Sequence, residues 1–301
     1  MRTVFLGTSE FAVAVLRRLA GSPHRPALVI SRPDRRRGRG RRLAPPPVAQ
    51  AARELGLELD QPQSINQDEP RAMIASARPD VVCVCAFGAL ITEPLLSAHP
   101  MLNVHPSLLP RWRGAAPIER AIMAGDERTG VSIMRVTAGL DSGPVCLAQA
   151  EAIESTDTYG TLSERLQELG GELLVRALTR SRPCIEQDDA LASYAEKISA
   201  GDRLLDPVRP AIELERMVRA LTPHIGAHVE LEDGKWLGVR EARALADDEA
   251  PITLGTLSLE GSRPVLGCAW GALELMVVQP AGRRPISAED YLRGLQGRGS
   301  P

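Results

Sequence analysis

The residues best suited to chemistry lie in two short segments, one around Asn103 and His105 and the other around Asp141. Asn103 and His105 are two positions apart at the end of a predicted strand, so both side chains face the same side of the sheet. An asparagine amide can donate to a developing oxyanion, and a histidine can transfer protons near neutral pH. Asp141 lies in a glycine-flanked turn, and its carboxylate is a natural partner for the imidazole. A lone histidine or aspartate is more often structural, but the combination predicts a catalytic site.

Strand and helix patterns alternate through the first part of the chain. Predicted strands at 1–6, 27–30, 57–59, 80–86, 101–105, 130–136 and 143–150 are separated by helical stretches such as 47–55 and 68–77. This alternation is typical of an α/β fold with a mostly parallel, doubly wound, Rossmann-like sheet. Ligands of such sheets bind beyond the carboxyl ends of the strands, where Gly7, Gly88 and His105 should emerge. We therefore expect three loops to meet at one crevice.

The chain should divide into two domains, because 301 residues exceed the size at which one hydrophobic core usually stops growing. A long amphipathic helix at 158–180 should close the first domain, which we assign to residues 1–184. Residues 185–204 have a weak pattern with turn-forming residues, and we assign them as a linker. After a helix at 212–221, short apolar runs between turn residues predict a smaller, OB-like β-barrel domain over residues 205–301.

Composition and motifs exclude several classes of protein. The 44% hydrophobic and 25% charged residues are typical of a globular chain. The amino terminus lacks the basic region and cleavage site of a secretory signal, so we expect a cytoplasmic protein with no membrane partner. Gly7 is not followed by the two further glycines of the dinucleotide fingerprint, which argues against a nicotinamide or flavin cofactor.

The five cysteines give no sign of a metal site or a disulfide framework. Cys83 and Cys85 lie in an apolar run, where they are best interpreted as buried strand residues. An odd number of cysteines in a chain of this length gives no reason to expect disulfides. We expect no bound metal.

The segment from Arg32 to Arg42 is strongly basic, although the formal net charge of the chain is only -2. Seven of its eleven residues are arginines, where an even spread of the chain's arginines would place about one. A charge run is usually a solvated loop. This one, however, follows the second predicted strand and should overhang the crevice that contains His105. Guanidinium groups suit phosphates and stacked bases, so the loop is a candidate nucleic-acid contact.

Residues 103–110, 111–118 and 139–143 closely resemble motifs of the 10-formyltetrahydrofolate-dependent formyltransferases. Further matches at 5–8, 194–197 and 279–285 extend the likeness along nearly the full chain. By this resemblance, Asn103, His105 and Asp141 correspond to the family's catalytic trio. Its folate-contacting residues correspond to Phe87, Gly88, Ala89, Leu90, Ser107, Leu108, Leu109 and Pro110.

The resemblance implies transfer of a formyl group from 10-formyltetrahydrofolate, a co-substrate, to a free amine. The likeness is greatest to the members whose acceptor is an aminoacylated tRNA, which implies initiator methionyl-tRNA as the partner and a role in translation initiation. We expect a monomer. The tRNA-contacting loop of those members matches Arg35, Arg36, Arg37, Arg39, Arg41 and Arg42.

Two other interpretations stay open. A sugar-nucleotide or other small-amine formyltransferase would share the trio, and the basic loop is the feature that discriminates against it. A non-catalytic RNA-binding protein would leave the trio without a purpose, and the chain is only 3% aromatic, which is poor for base stacking. The chain also departs from the family pattern at Pro207, where a tryptophan is frequent, and around His224, where an Asn-Pro-Trp-Pro-like turn is common. These departures leave the packing of the second domain open.

Overall fold

A computed structural model describes residues 1–37, 42–180, 183–231, 234–249 and 252–296. The chain divides into two compact units. The first unit comprises Met1–Pro117, Arg128–Ala152 and Ser163–Ala195, and the second comprises Ile118–Glu127, Ile153–Leu162 and Glu196–Pro301. The units interleave along the chain, and the single boundaries expected at residues 184 and 204 stay a prediction. Across the described residues, no helix is both long and apolar enough to cross a membrane.

The first part of the chain alternates strands with helices, as its sequence pattern predicts. The strands are β1 (Thr3–Gly7), β2 (Pro26–Ile30), β3 (Arg35–Arg37), β4 (Arg42–Ala44), β5 (Leu59–Asp60), β6 (Val81–Cys85), β7 (Met101–His105), β8 (Arg113–Gly114), β9 (Arg128–Arg135), β10 (Val145–Ala152) and β11 (Tyr194–Ala195). The helices are α1 (Glu10–Ala20), α2 (Pro47–Glu54), α3 (Asp68–Ala77), α4 (Leu95–Ala98), α5 (Pro117–Ala124) and α6 (Tyr159–Thr179). Helix α1 buries Phe11, Val15 and Leu19, which recur at helical spacing on one face.

The main sheet of the first unit has seven strands in the order β10-β9-β7-β6-β1-β2-β5. The five strands from β5 to β7 in this order are parallel, and β9 pairs antiparallel with both β7 and β10. Every residue of β1 and β6 is buried, as expected for central strands of such a sheet. The predicted Rossmann-like α/β fold is therefore confirmed.

The carboxyl ends of the central strands lie side by side. Gly7 of β1 is paired with Cys85 of β6, and Cys85 is paired with Val104 of β7. The loops that follow β1, β6 and β7 therefore leave the sheet at the same edge, where parallel α/β sheets bind their ligands.

Two cysteines overturn the expectation that the chain has no disulfide. Cys146 and Cys184 are joined, because reciprocal backbone hydrogen bonds of 2.8 and 2.9 Å between Val145 and Ile185 bring the two chain segments together. A separation of 38 residues gives no local signal of this pairing. Cys83 and Cys85 are buried strand residues, as predicted, and burial raises the pKa of the Cys83 thiol to about 12.

The second unit is built on an antiparallel sheet. Its elements after residue 195 are α7 (Ala211–Leu221), β12 (Ala227–Glu230), β13 (Trp236–Leu245), β14 (Leu257–Ser258), β15 (Val265–Gly267), β16 (Ala272–Pro280), β17 (Ile286–Ser287) and α8 (Ala288–Gln296). The strands are ordered β12-β13-β16-β15-β14, and β17 also pairs with β16. Leu214 and Leu221 of α7 pack with Val239 and Leu275 in its core. The predicted smaller β domain is confirmed as an antiparallel half-barrel, whereas α8 was not predicted.

The departure from the family pattern around His224 has a local structure of its own. The His224 ring stacks on Tyr159 with ring centroids 3.7 Å apart. Its Nε2 lies 3.0 Å from Oε1 of Glu119, a residue of the same unit. An aromatic and a carboxylate partner therefore hold this turn.

Candidate active site

The structure brings Asn103, His105 and Asp141 together at the carboxyl end of β7. Asn103 and His105 are on β7, and Asp141 is in the turn that joins β9 to β10. Nδ1 of His105 lies 3.6 Å from Oδ2 of Asp141. The Asn103 amide donates to Oδ1 of Asp141 over a long 3.4 Å. An amide donor, an imidazole and a carboxylate therefore share one site, with His105 only 4% exposed.

The main chain orients the His105 ring. Nε2 of His105 is 2.8 Å from the carbonyl oxygen of Trp112. A carbonyl oxygen can only accept a hydrogen bond, so we assign the proton of the neutral ring to Nε2. Nδ1, which faces Asp141, is then the nitrogen that is free to accept a proton.

The carboxylate of Asp141 is held by the backbone. The amide of Gly114 donates to Oδ2 of Asp141 over 2.9 Å. Gly114 has φ of 117°, and a Cβ at this position would lie 2.8 Å from the carbonyl oxygen of Ala195. Only glycine can therefore bring this amide to the carboxylate without displacing β11.

Two further residues at this site were not predicted as functional from the sequence. The Gln187 amide donates to the carbonyl oxygens of Asp141 and Gly143, and Arg113 donates to the Gln187 oxygen. Arg113 lies within one of the motifs quoted for the family resemblance, and that was the only available signal. Gln187 lies in the segment assigned as a linker, where periodicity gave no information.

The stretch Ser107, Leu108, Leu109 and Pro110 is fixed by its own hydrogen bonds. The Ser107 hydroxyl donates to the carbonyl of Arg111 over 2.6 Å, and the Ser132 hydroxyl donates to the carbonyl of Ser107 over 2.7 Å. Ser107 is fully buried, while Leu108, Leu109 and Pro110 are half-buried. The hydroxyl of Ser107 therefore shapes the loop, and the next three residues form its accessible part.

The loop after β6 contains Phe87, Gly88, Ala89 and Leu90. The Thr8 hydroxyl donates to the carbonyl of Phe87 over 2.7 Å, and Arg32 donates to the carbonyl of Gly88 over 3.0 Å. Phe87 is buried, Ala89 is half-buried and Leu90 is 73% exposed. The loops after β1, β2 and β6 are therefore connected by direct contacts.

These loops line a half-open cavity of about 290 Å³. It is lined by Thr8, Ser9, Arg32, Pro33, Arg35, Pro46, Ala86, Phe87 and Gly88. Arg32 and Arg35 provide positive charge at the cavity wall, which suits an anionic or strongly polar ligand.

The arginine segment is a β-hairpin rather than a plain loop over its described part. Strands β3 and β4 pair antiparallel, with Arg35 opposite Ala44 and Arg37 opposite Arg42. The side chains of Arg35, Arg36 and Arg42 are exposed. Arg39 and Arg41 lie outside the described residues, and Arg37 is described by its backbone alone.

No cluster of metal-binding side chains is evident in the described part of the chain. Within it, no group of three or more His, Cys, Asp and Glu side chains could hold a metal ion. The polar groups that meet at Asp141 can instead supply hydrogen bonds and proton transfer.

Comparison with known protein families identifies the family to which the chain belongs. Residues 1–178 match the family described as formyl transferase, and residues 197–296 match the formyl transferase C-terminal domain. The chain belongs to the formyl transferase family.

The relatives give a narrower name. A protein of Methylococcus capsulatus named methionyl-tRNA formyltransferase is 43% identical over 302 residues, covering 97% of this chain and 96% of the relative.

Two solved structures share the fold at low sequence identity. HypX from Aquifex aeolicus in complex with tetrahydrofolic acid has a TM-score of 0.65 at 17% identity, covering 97% of this chain and 47% of that chain. The N-formyltransferase from Helicobacter canadensis, in complex with folinic acid and dTDP-3-aminofucose, has a TM-score of 0.63 at 14% identity, covering 91% of this chain and 98% of that chain. At these identities the two likenesses establish a shared fold.

Proposed function

We propose that this chain transfers the formyl group of 10-formyltetrahydrofolate to the free amino group of methionyl-tRNA. The observation that carries the proposal is the cluster of Asn103, His105 and Asp141, whose polar atoms lie 3.4 and 3.6 Å apart. The 43% identity over nearly the full length to a methionyl-tRNA formyltransferase supports this acceptor.

The cluster matches the charges that develop during formyl transfer. As the amine nitrogen bonds to the formyl carbon, negative charge builds on the formyl oxygen and positive charge on the nitrogen. Asn103 donates its amide hydrogen to that oxygen, and losing one such donor typically costs about a hundred- to a thousandfold in rate. Nδ1 of His105 takes a proton from the amine, and the Asp141 carboxylate stabilises the resulting imidazolium. The bond between the formyl carbon and the folate nitrogen then breaks, and His105 returns the proton to that nitrogen.

Two fixed loops suit the flat ring system of a folate, which acts here as a substrate that supplies the formyl group. The carbonyls of Phe87 and Gly88 are already hydrogen-bonded within the protein, so the backbone of this loop is preorganised. Leu108 and Leu109 are half-buried next to the backbone of Ser107. Apolar side chains beside fixed polar backbone groups are the usual lining of a small-molecule site.

The β3–β4 hairpin supports a nucleic acid as the acceptor. Its exposed Arg35, Arg36 and Arg42 follow β2, whose carboxyl end lies at the same sheet edge as that of β1. Phosphates of a tRNA acceptor end would be neutralised by such side chains. We further infer that the acceptor is the initiator tRNA, that the reaction serves translation initiation in the cytoplasm, and that the chain acts as a monomer.

The test supplies the purified protein with 10-formyltetrahydrofolate and one of three acceptors: methionyl-tRNA, N-acetylmethionyl-tRNA or dTDP-3-aminofucose. We expect formylation of methionyl-tRNA alone. The acetylated control has no free amine, and the amino sugar has no tRNA acceptor end for the β3–β4 hairpin to contact. Formylation of the amino sugar with no reaction of methionyl-tRNA would replace the proposal with a sugar formyltransferase. Binding of tRNA without any formylation would indicate a non-catalytic RNA-binding protein. Sedimentation should give the mass of one chain.

A further inference from the structure

Polar contacts hold both the carboxylate of Asp141, through the Gly114 amide, and the backbone carbonyls of its turn, through Gln187. We call Arg113, Gly114 and Gln187 the polar bracket. We propose that Gln187, itself oriented by Arg113, is a positioning residue that fixes Asp141 in its catalytic conformation. This inference rests on the proposed function, because it concerns how Asp141 is presented to His105.

Gln187 uses both ends of its side-chain amide, the nitrogen on this turn and the oxygen on Arg113. Its Nε2 donates to the carbonyl oxygen of Asp141 over 2.8 Å and to that of Gly143 over 2.7 Å. Its Oε1 accepts from Nε of Arg113 over 3.0 Å. The two ends of the Asp141–Gly143 segment are therefore tied to a single planar group.

Arg113 determines the orientation of the Gln187 side-chain amide. The Arg113 side chain is 3% exposed, and its Nη2 donates to Oδ1 of Asp189 over 2.8 Å. A guanidinium can only donate hydrogen bonds, so the Gln187 oxygen must face it and the nitrogen must face the two carbonyls. The reversed amide would place oxygen against oxygen and nitrogen against nitrogen. The orientation follows from the chemistry of the partners, and a buried cation enforces it.

The Asp141 turn needs such support because its backbone conformation is uncommon. Asp141 has φ of 45°, in the left-handed region, which aspartate tolerates better than most non-glycine residues but still adopts seldom. Gly143 is also tightly enclosed, since a Cβ there would lie 2.0 Å from the carbonyl oxygen of Arg135. Without Gln187, the turn could relax toward ordinary backbone angles and carry the carboxylate away from Nδ1 of His105. The Gly114 amide holds one carboxylate oxygen only.

Loss of Gln187 should slow the chemical step rather than weaken substrate binding. Gln187 acts through Asp141, and a displacement of about 1 Å at a reacting group can cost about a hundredfold in rate. We expect its loss to lower kcat about tenfold to a hundredfold, while KM for each substrate changes less than twofold.

Two variants separate positioning from general support. Gln187→Met keeps the side-chain length and removes every hydrogen bond. Gln187→Glu keeps, and by its charge strengthens, the acceptor for Arg113, but it removes both donors to the turn. We expect kcat to fall in both variants. Gln187→Met should also lower thermal stability, because it leaves Nε of the buried Arg113 without its acceptor. If Gln187 only supported the fold by accepting from Arg113, Gln187→Glu would keep that hydrogen bond and the wild-type kcat. Glu186→Gln, a change at the exposed neighbouring residue, is the matched control and should keep the wild-type kcat.

The decisive measurement repeats Gln187→Met in an Asp141→Ala background, with single-turnover kinetics and enzyme in excess. If Gln187 acts only through Asp141, it should lower the rate by less than twofold in that background. The proposal is overturned by a full additional loss in that background, or by a wild-type kcat in either Gln187 variant. A wild-type enzyme that formylates no acceptor would instead refute the proposed function, so the two failures are distinguishable.

Discussion

Arg113 and the arginines of the β3–β4 hairpin are the same residue type used for opposite purposes. Arg113 is buried, and its hydrogen bonds to Gln187 and Asp189 orient the Gln187 amide that holds the Asp141 turn. Arg35 and Arg36 are exposed on a short two-stranded hairpin. The contrast supports the two proposals made above, in which the buried cation sets geometry for the chemistry and the exposed cations attract a charged partner. Substitutions in the two regions should therefore affect different kinetic constants.

The largest effect should follow from removing the charge that the polar bracket positions. Asparagine is isosteric with aspartate and tolerates left-handed backbone angles, so Asp141→Asn keeps the turn but no longer stabilises the imidazolium. We expect kcat for methionyl-tRNA to fall about a hundred- to a thousandfold with little change in KM. Steady-state formylation measures both constants. Asp68→Asn, the same change on a 96% exposed side chain, is the control, and near-normal turnover of Asp141→Asn would refute the assigned role.

The next effect tests whether the polar bracket relies on the neighbouring disulfide. Cys146 lies shortly after the Asp141 turn, and Cys184 lies three residues before Gln187. Removing a cross-link that closes a loop of this size should lower the free energy of unfolding by about 2–4 kcal/mol. Urea denaturation of Cys184→Ser, compared with the wild type with and without reductant, measures this loss. Because the contacts of Gln187 are separate from the cross-link, we expect kcat to change less than about threefold.

A thiol titration checks the premise of that prediction. The denatured, unreduced protein should show three thiols, those of Cys83, Cys85 and Cys268. Five thiols would contradict the cross-link. In that case, reductant should also leave the denaturation curve of the wild type unchanged.

A smaller effect is expected when the exposed cations are removed. If these side chains contact phosphates rather than reacting atoms, as proposed, Arg35→Ala combined with Arg36→Ala should raise KM for methionyl-tRNA about tenfold and leave kcat within about twofold. The dependence of log KM on log salt concentration should flatten by about one to two. Arg17→Ala with Arg18→Ala removes the same charge from the exposed face of α1 and should leave the slope unchanged. An equal slope in the hairpin variant would argue against tRNA contact there.

The smallest effect concerns the partly exposed ion pair between Arg120 and Asp202 in the second unit, which can be compared with the buried Arg113. The hydrogen bond from Arg120 lowers the pKa of Asp202 from 3.8 to about 2. Because the folded pKa is below the unfolded one, the pair stabilises the fold above about pH 4 and loses this contribution as the pH falls toward 2. Solvent screening should keep the contribution below about 1 kcal/mol. Urea denaturation at pH 6 and pH 3 should show a smaller loss of stability for Asp202→Asn than for the wild type, and equal losses would contradict the shift.

Local pattern was sufficient for the elements that position the site. The apolar run before Asn103 predicts a strand at 101–105, and β7 has those bounds. The glycines around Asp141 indicate a turn, and the structure places it between β9 and β10. Periodicity and turn-forming residues act over a few positions, so these features can be recognised from a single chain.

The contacts that fix the site could not be predicted in this way. Gln187 reaches Asp141 across 46 residues, and Cys184 reaches Cys146 across 38. Both pairings are made when the segment after α6 returns to β10, through the bonds between Val145 and Ile185. That return depends on tertiary packing, and no local pattern around Gln187 signals it.

The hydrogen bond between His105 and Trp112 has an evolutionary consequence. Because the acceptor is the main-chain carbonyl of Trp112, the bond does not require the indole, provided that the new residue keeps the left-handed backbone of this position, where φ is 63°. Natural variation at position 112 can therefore reshape the neighbouring surface while the tautomer of the imidazole stays the same.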